Sequence, residues 1–269
     1  MADRPSSTLC PSCGSLVGVS DEQCLTCGRR NPGMFGLTAV FRGLGDDLGF
    51  ANIVLGACGA LYLVSLLVTS RIDPEALQSG GLLNFLGPSG RALLLMGGSG
   101  AVPVYGYGRF WTLLSAGWLH GGLLHILFNM MSARDLIPAM AQLYGPGRTV
   151  IVWTVGSVAG FLASSTMGAY FPHIPFLQGA PLTIGASASL FGFIGALYHY
   201  GSRASSVIRE HAIRWALSGL VMGFAIRGID NWAHIGGFVG GYLASKFLNP
   251  FLPERGDHVL AAVICLALS

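Results

Sequence analysis

The sequence predicts an all-α polytopic membrane protein, a bundle of six transmembrane helices behind a small cysteine-rich head. Three observations carry this. Of 269 residues, 52% are hydrophobic and 10% are Asp, Glu, Lys or Arg, against about 25% charged in an ordinary soluble domain. Uncharged stretches of 23, 24 and 54 residues lie between Asp47 and Arg71, Arg109 and Arg134, and Arg148 and Arg203, while a spanning helix needs about 20. Four cysteines in two close pairs precede the first apolar run. The net charge of +3 is too mild to argue for a nucleic-acid partner, and 40 glycines without a three-residue repeat suit close helix packing rather than collagen.

The elements follow in order. Residues 1–35 form the head, 36–50 a linker, 51–250 the transmembrane domain and 251–269 a tail or the start of a further helix. The six helices are expected near 51–70, 113–133, 149–169, 185–201, 212–228 and 231–249. The longest uncharged stretch holds two of them, separated by the loop FPHIPFLQGAPLT, whose prolines break any helix. In the fifth, Arg214 and Arg227 bracket the apolar core and snorkel to the headgroups. The uncharged run 92–108 holds five glycines and a proline, which favours an interfacial or re-entrant loop. The closing VLAAVICLAL is too short to cross, so it reads as an interfacial tail or part of a seventh helix.

No cleavable signal peptide is expected, because the first apolar run begins near residue 51. Six spans put both ends on one side of the membrane. Eleven of the 15 basic residues then share the side of the N-terminus, which makes the head cytosolic. A bacterial-type plasma membrane, with a site opening to the outer face, is the expected location.

Cys10, Cys13, Cys24 and Cys27 form a C-x2-C, ten-residue, C-x2-C array with Gly14 and Gly28 trailing each pair. That spacing turns two thiolates toward one tetrahedral ion and predicts a structural zinc ribbon with no open position for chemistry. In a reducing compartment, disulfides are the weaker alternative. Cys58 and Cys265 sit in apolar runs and read as small buried hydrophobes.

Polar side chains within apolar segments are costly and usually functional. Four stand out: His125 and Asn129 in the second helix, Ser187 in the fourth and His234 in the sixth. These helices run in the same direction and carry their polar groups in their first halves, which brings all four to one depth. His125 and Asn129, four apart, share a face and offer two donors. Ser187 follows Gly185 and Ala186 at a helix start, where free N–H groups suit a developing oxyanion. His234 lies 47 residues on, one hairpin away. The small-residue rows Ala233, Gly237, Gly241, Ser245 and Ala188, Gly192, Ala196 bring those two helices together. A neutral imidazole within hydrogen-bond reach of a serine makes it a nucleophile. Asp230, one turn before His234, is assigned to the helix N-terminus, which leaves a Ser/His dyad.

HILFN, GAS followed by LFG, and AHIGGFVGG, in that order on alternating helices, resemble the rhomboid intramembrane serine proteases over residues 50–250. The resemblance implies a rhomboid-like bundle with Ser187 as nucleophile, His234 as general base, and His125 with Asn129 in the oxyanion hole. Phe191 then matches the aromatic position beside the base. Trp111 matches the first half of a Trp-Arg pair whose arginine is Thr112 here, with Arg109 a possible substitute, and Ala188 stands where many members have glycine. Implied too are a serine endopeptidase activity, transmembrane-protein substrates cut in or beside their membrane helices, the lipid bilayer as surroundings, and no cofactor in catalysis.

Other polar residues carry plainer expectations. Ser157, Ser164, Ser165 and Ser189 are expected to bond the backbone one turn back. His120 is expected to organise water or a loop, and His173, His199, His211 and His258 to lie at interfaces. Two rival classes are an inactive relative that binds transmembrane helices and a small-solute transporter. Complete dyad and oxyanion residues argue against the first, and the lack of an inverted repeat against the second.

Overall fold

Phe50, Trp153 and Phe193 form a chain of tilted and edge-on rings, 5.7 and 5.6 Å between centroids, at the centre of a helical bundle. The computed structural model describes residues 7–10, 12–18, 21–32, 45–77, 85–174, 178–226 and 228–269. Arg227, linker residues 36–44 and positions 175–177 of the loop before the fourth expected helix lie outside the described residues. The chain divides into two compact units, Met1–Gly49 and Phe50–Ser269.

The first unit holds a two-stranded antiparallel sheet, β1 (Ser7–Leu9) and β2 (Leu16–Gly18), in register Thr8 to Val17. Its small core comprises Cys10, Val17 and Cys24.

The second unit is mostly helical. Six long helices are described: α1 (Phe50–Ile72), α4 (Leu123–Tyr144), α5 (Pro146–Tyr170), α6 (Ser187–Ala204), α7 (Ser206–Ala225) and α8 (Asn231–Phe247). Short α2 (Gly90–Leu95) and α3 (Thr112–Ser115) lie between α1 and α4, and α9 (Gly256–Leu268) closes the chain. By length and composition alone, α1 and α5 are apolar enough to cross a membrane. Elsewhere the polar residues interrupt the signal: His125, Asn129, Arg134 and Asp135 in α4, and Arg209, Glu210 and Arg214 in α7.

Helix α6 is the axis. Its side chains are buried nearly all round, from Ala188 to Leu197, as expected of a helix surrounded by others. Helix α8 wedges between α5 and α6 on two glycine rows. A Cβ on Gly236 or Gly240 would strike Ala159 of α5, and one on Gly237 or Gly241 would overlap the Ala188 or Gly192 carbonyl of α6. The sequence pointed to the second row, through Gly237 and Gly241. The first row, offset by one residue, is what lets α8 touch two helices at once.

Away from these contacts, Tyr144, Ser245 and His199 form a buried chain. The Tyr144 hydroxyl donates to the Ala196 carbonyl at 2.8 Å, Ser245 lies 2.7 Å from it, and His199 Nδ1 lies 2.6 Å from Ser245. His199, expected at an interface, is buried in the bundle, with Ser245 against its Nδ1.

Two boundaries differ from expectation. The second long helix begins at Leu123 rather than near 113. The first ten expected residues instead hold the end of α3 and a 3-10 turn, Ala116–Trp118, after which Leu119 and Gly122 are extended (φ −94°, ψ 149° and φ 169°, ψ 167°) and the Leu123 N–H donates to the Phe85 carbonyl. Arg134 therefore lies mid-helix, exposed, rather than in a loop. The fifth begins at Ser206, not 212, because Ser205 is extended and caps the Ile208 N–H, breaking the chain for one residue.

The run 92–108 forms no spanning helix. Gly97, Gly100 and Gly108 take positive φ, and Ser99 exchanges backbone hydrogen bonds with Thr183 at 3.0 and 2.7 Å. The closing apolar run is helical as α9. It is held at α5 by Arg148, whose guanidinium donates to the Leu252 and Pro253 carbonyls (2.7 and 2.8 Å) and to His258 Nδ1 (3.1 Å).

Candidate active site

Ser187 is the first residue of α6, behind Gly185 at φ +118°. The approach to it is pinned by the Ser99–Thr183 pair and by the Gly185 N–H donating to the Ala116 carbonyl at 2.9 Å. The first internal helix bond runs from the Leu190 N–H to the Ala186 carbonyl. The N–H groups of Ser187 to Ser189 therefore precede the helical ladder and point outward.

His125 faces this turn. A Cβ on Gly185 would come within 2.6 Å of His125 Nε2, so glycine is required there both for its backbone and for the imidazole. The Gly121 N–H donates to His125 Nδ1 at 3.2 Å. With Nδ1 an acceptor, the neutral ring carries its proton on Nε2, the nitrogen beside Gly185. Asn129 is buried, and its amide donates to the His125 carbonyl at 2.8 Å, which fixes the amide orientation and leaves one N–H uncommitted.

His234 sits in the first turn of α8, buried and stacked on Phe191 with ring centroids 4.0 Å apart and planes 7° from parallel. Phe191 is one helical turn after Ser187, so the ring that carries His234 projects from the face that carries the serine. Among the described residues no hydrogen bond joins Ser187 to His234, and His234 Nδ1 has no partner. Asp230 does not approach His234 as a third member. Its Oδ1 accepts from the Trp232 and Ala233 N–H groups, both at 3.1 Å, and its Oδ2 accepts from Ser164. A cavity of about 220 Å³ flanks the imidazole, lined otherwise by apolar side chains of α6, α7 and α8 such as Phe191, Leu220 and Ile235.

The neighbouring serines correct expectation. Ser164 bonds Asp230 rather than its own helix, and Ser157, Ser165 and Ser189 are buried without a hydrogen-bond partner among the described residues. Of these, Ser157 faces the turn before α4, where a Cβ on Gly117 would meet its hydroxyl at 2.8 Å. His120 is fully buried, edge-on to His125 at 5.1 Å, with both ring nitrogens unpartnered among the described residues. In the loop before α4, the Thr112 hydroxyl donates to the Arg109 carbonyl at 2.7 Å. The Arg109 guanidinium lies over the Tyr107 ring at 5.3 Å and donates to the Leu94 carbonyl at 3.5 Å. In the sequence nothing separates Ser164 from Ser157, Ser165 and Ser189; its bond to Asp230 on another helix is seen only in the packing.

In the head, the sulfurs of Cys10, Cys13, Cys24 and Cys27 all lie within 4.8 Å of one another, a cluster that could hold a metal ion. The two C-x2-C turns match. Gly14 and Gly28 both take φ +74°, and their N–H groups donate to the Cys10 and Cys24 carbonyls, each at 2.8 Å. The Ser15 hydroxyl and N–H beside Cys13 hold its thiol well below the usual range, at about 6.

Polar groups from α4, α6 and α8 thus lie at the helix starts of an apolar, mostly helical bundle of the polytopic membrane class. A Rhomboid domain model matches residues 107–251, and the chain belongs to the rhomboid family. It is 31% identical over 167 residues to the rhomboid protease GluP of Bacillus subtilis (strain 168), covering 60% of this chain and 31% of that protein. It is 30% identical over 166 residues to RHOMBOID-like protein 4 of Arabidopsis thaliana, covering 59% and 39%. It is also 30% identical over 211 residues to inactive RHOMBOID-like protein 8 of the same plant, covering 76% and 53%. The chain therefore spans from 31% to 53% of these relatives' lengths.

Proposed function

We propose that this protein is an intramembrane serine endopeptidase that cuts transmembrane proteins in or beside their membrane helices. The observation that supports the reading is the stack of His234 on Phe191, which follows Ser187 by one turn on α6, so the candidate base packs on the face of α6 that also carries the candidate nucleophile. Ser187 attacks the scissile carbonyl and passes its proton to His234. The oxyanion meets His125 Nε2–H, the free Asn129 N–H and the Ser187 backbone N–H. His234 then returns the proton to the leaving amine, and water resolves the acyl-enzyme with the same base. A regular helix hides its carbonyls in its own hydrogen bonds, so substrates with a locally unstable helix and a small residue before the cut fit this site. The basic-residue asymmetry supports a cytosolic head and a site toward the outer face of a bacterial-type plasma membrane.

For the head we propose a structural zinc ion. A tetrahedral site with Zn–S near 2.3 Å implies sulfurs about 3.8 Å apart. The Cys10–Cys27 and Cys13–Cys24 pairs lie at 3.6 and 3.7 Å, which fits.

One observation favours the rival, a non-catalytic protein that binds transmembrane helices: the missing Ser187–His234 hydrogen bond. Reconstitution with a single-span reporter decides between them. The protease reading expects a product cut within or next to the membrane segment, lost in Ser187→Ala and in His234→Ala. Reporter left intact by a folded wild type, or cut equally by the variants, contradicts it.

A further inference from the structure

Asp230 is the N-cap of α8, the helix of His234, and one carboxylate oxygen suffices for that role. Oδ1 alone accepts from the Trp232 and Ala233 N–H groups. The second oxygen reaches a different helix and accepts from the Ser164 hydroxyl of α5, a side chain with no exposure. Ser164 is itself doubly used. Its oxygen also accepts from the Ala180 N–H at 3.2 Å, in the segment that leads to Ser187. That segment lies directly on α5, since a Cβ on Gly179 would overlap the Ser164 carbonyl and the Gly168 N–H. From there it runs through Ala180 and Thr183, bonded to Ala101 and Ser99, to Gly185 and Ser187.

We propose that Asp230 and Ser164 are positioning residues, a carboxylate–hydroxyl–amide relay that fixes the base helix and the nucleophile segment to one shared anchor on α5. The relay touches no reacting atom. It sets the separation and relative rotation of two side chains that arrive on different elements and have no direct bond to each other. The Ser187 hydroxyl and His234 ring depend on such a frame because, among the described residues, the imidazole stacks on Phe191 and its Nδ1 has no hydrogen-bond partner. Donors and acceptors balance: the carboxylate accepts three hydrogen bonds, and the hydroxyl gives one and takes one. An asparagine at 230 keeps the contact with its direction reversed, its oxygen capping α8 and its amide donating to the Ser164 oxygen, while the Ser164 hydrogen turns to the carbonyl one turn back on α5. An alanine at either place cuts it.

The proposal rests on the reading of Ser187 and His234 as nucleophile and base, and its test is separable from that reading. Full-length wild type, Asp230→Ala, Asp230→Asn, Ser164→Ala and the double alanine variant are compared in detergent. One measurement is deuterium uptake by peptides covering 178–186, and the other is the rate of labelling by a fluorophosphonate. Misplacement of reacting groups by about 1 Å costs on the order of a hundredfold in rate, so labelling is expected to slow about 10- to 100-fold in each alanine variant. Uptake at 178–186 rises even when the substitution is on α8. Asp230→Asn restores most of both, and the double variant is no slower than the slower single one, because both cut the same connection. Unchanged uptake at 178–186 in both single variants overturns the relay, as do rate losses that multiply in the double variant. Should the wild type fail to label, the functional reading falls and the exchange measurement alone decides the relay. If Asp230→Ala does not fold, Ser164→Ala, which removes one hydroxyl, carries both measurements.

Discussion

The backbone settles which nitrogen His125 offers the site. With the Gly121 N–H held on Nδ1, its proton sits on Nε2 beside Gly185. His125→Ala and Asn129→Ala are therefore each expected to lower turnover of a transmembrane reporter about 100- to 1,000-fold, with KM little changed, since donors of this kind act on the transition state. Equal losses in binding and turnover would assign them to substrate docking instead. Gly185→Ala meets two obstacles, a φ of +118° and the His125 ring. It should cost about 1–3 kcal/mol in unfolding free energy and reduce labelling of Ser187 even where the protein remains folded. At this scale much of the candidate site was legible, because polar groups in apolar runs announce themselves. The roles of Ser157, Ser164, Ser165 and Ser189 were not. A serine carries the same signal whether it bonds its own helix or crosses to another, and only the packing of α5 against its neighbours separates the two.

Helices meet here through glycine on more than one face. In AHIGGFVGG the first glycine of each pair, Gly236 and Gly240, seats α5, and the second, Gly237 and Gly241, seats α6. Gly237→Leu and Gly240→Leu should each force α8 off one neighbour while sparing the other, and each should cost about 1–3 kcal/mol or more. The loss in activity should be larger for Gly237, whose contact is Ala188, next to Ser187. Thermal unfolding and labelling rates measured together would separate the two effects, and equal activity losses would contradict the assignment of faces. Four-residue spacing made the α6-facing row visible in the sequence. Its partner row was hidden because a second stripe one residue away reads as ordinary glycine richness. The start of α4 was misread for a related reason. An uncharged run says only that a segment is apolar, and the turn at Leu119–Gly122 is written in backbone conformation rather than hydropathy.

Across the whole molecule, the chain divides into two compact units. Metal analysis of the purified chain should give about one zinc per molecule through the four sulfurs, lost on Cys13→Ser. Zinc retained in that variant would move the site elsewhere. In the bundle, Arg148 is 2% exposed and closes the tail onto α5 through two carbonyls and His258. Arg148→Ala strands those acceptors and should cost about 1–3 kcal/mol, seen as faster proteolysis after residue 250. The six-helix bundle itself was readable from hydropathy and punctuation. What hydropathy does not record is the backbone bonding of Ser99 to Thr183 and of Ala116 to Gly185, which positions the approach to Ser187. The most direct test of the central claim is to react the detergent-solubilised protein with a fluorophosphonate and locate the adduct by mass spectrometry. The account predicts a single modified residue, Ser187, and no adduct in His234→Ala. Modification at another serine, or full reaction at Ser187 without His234, would contradict it.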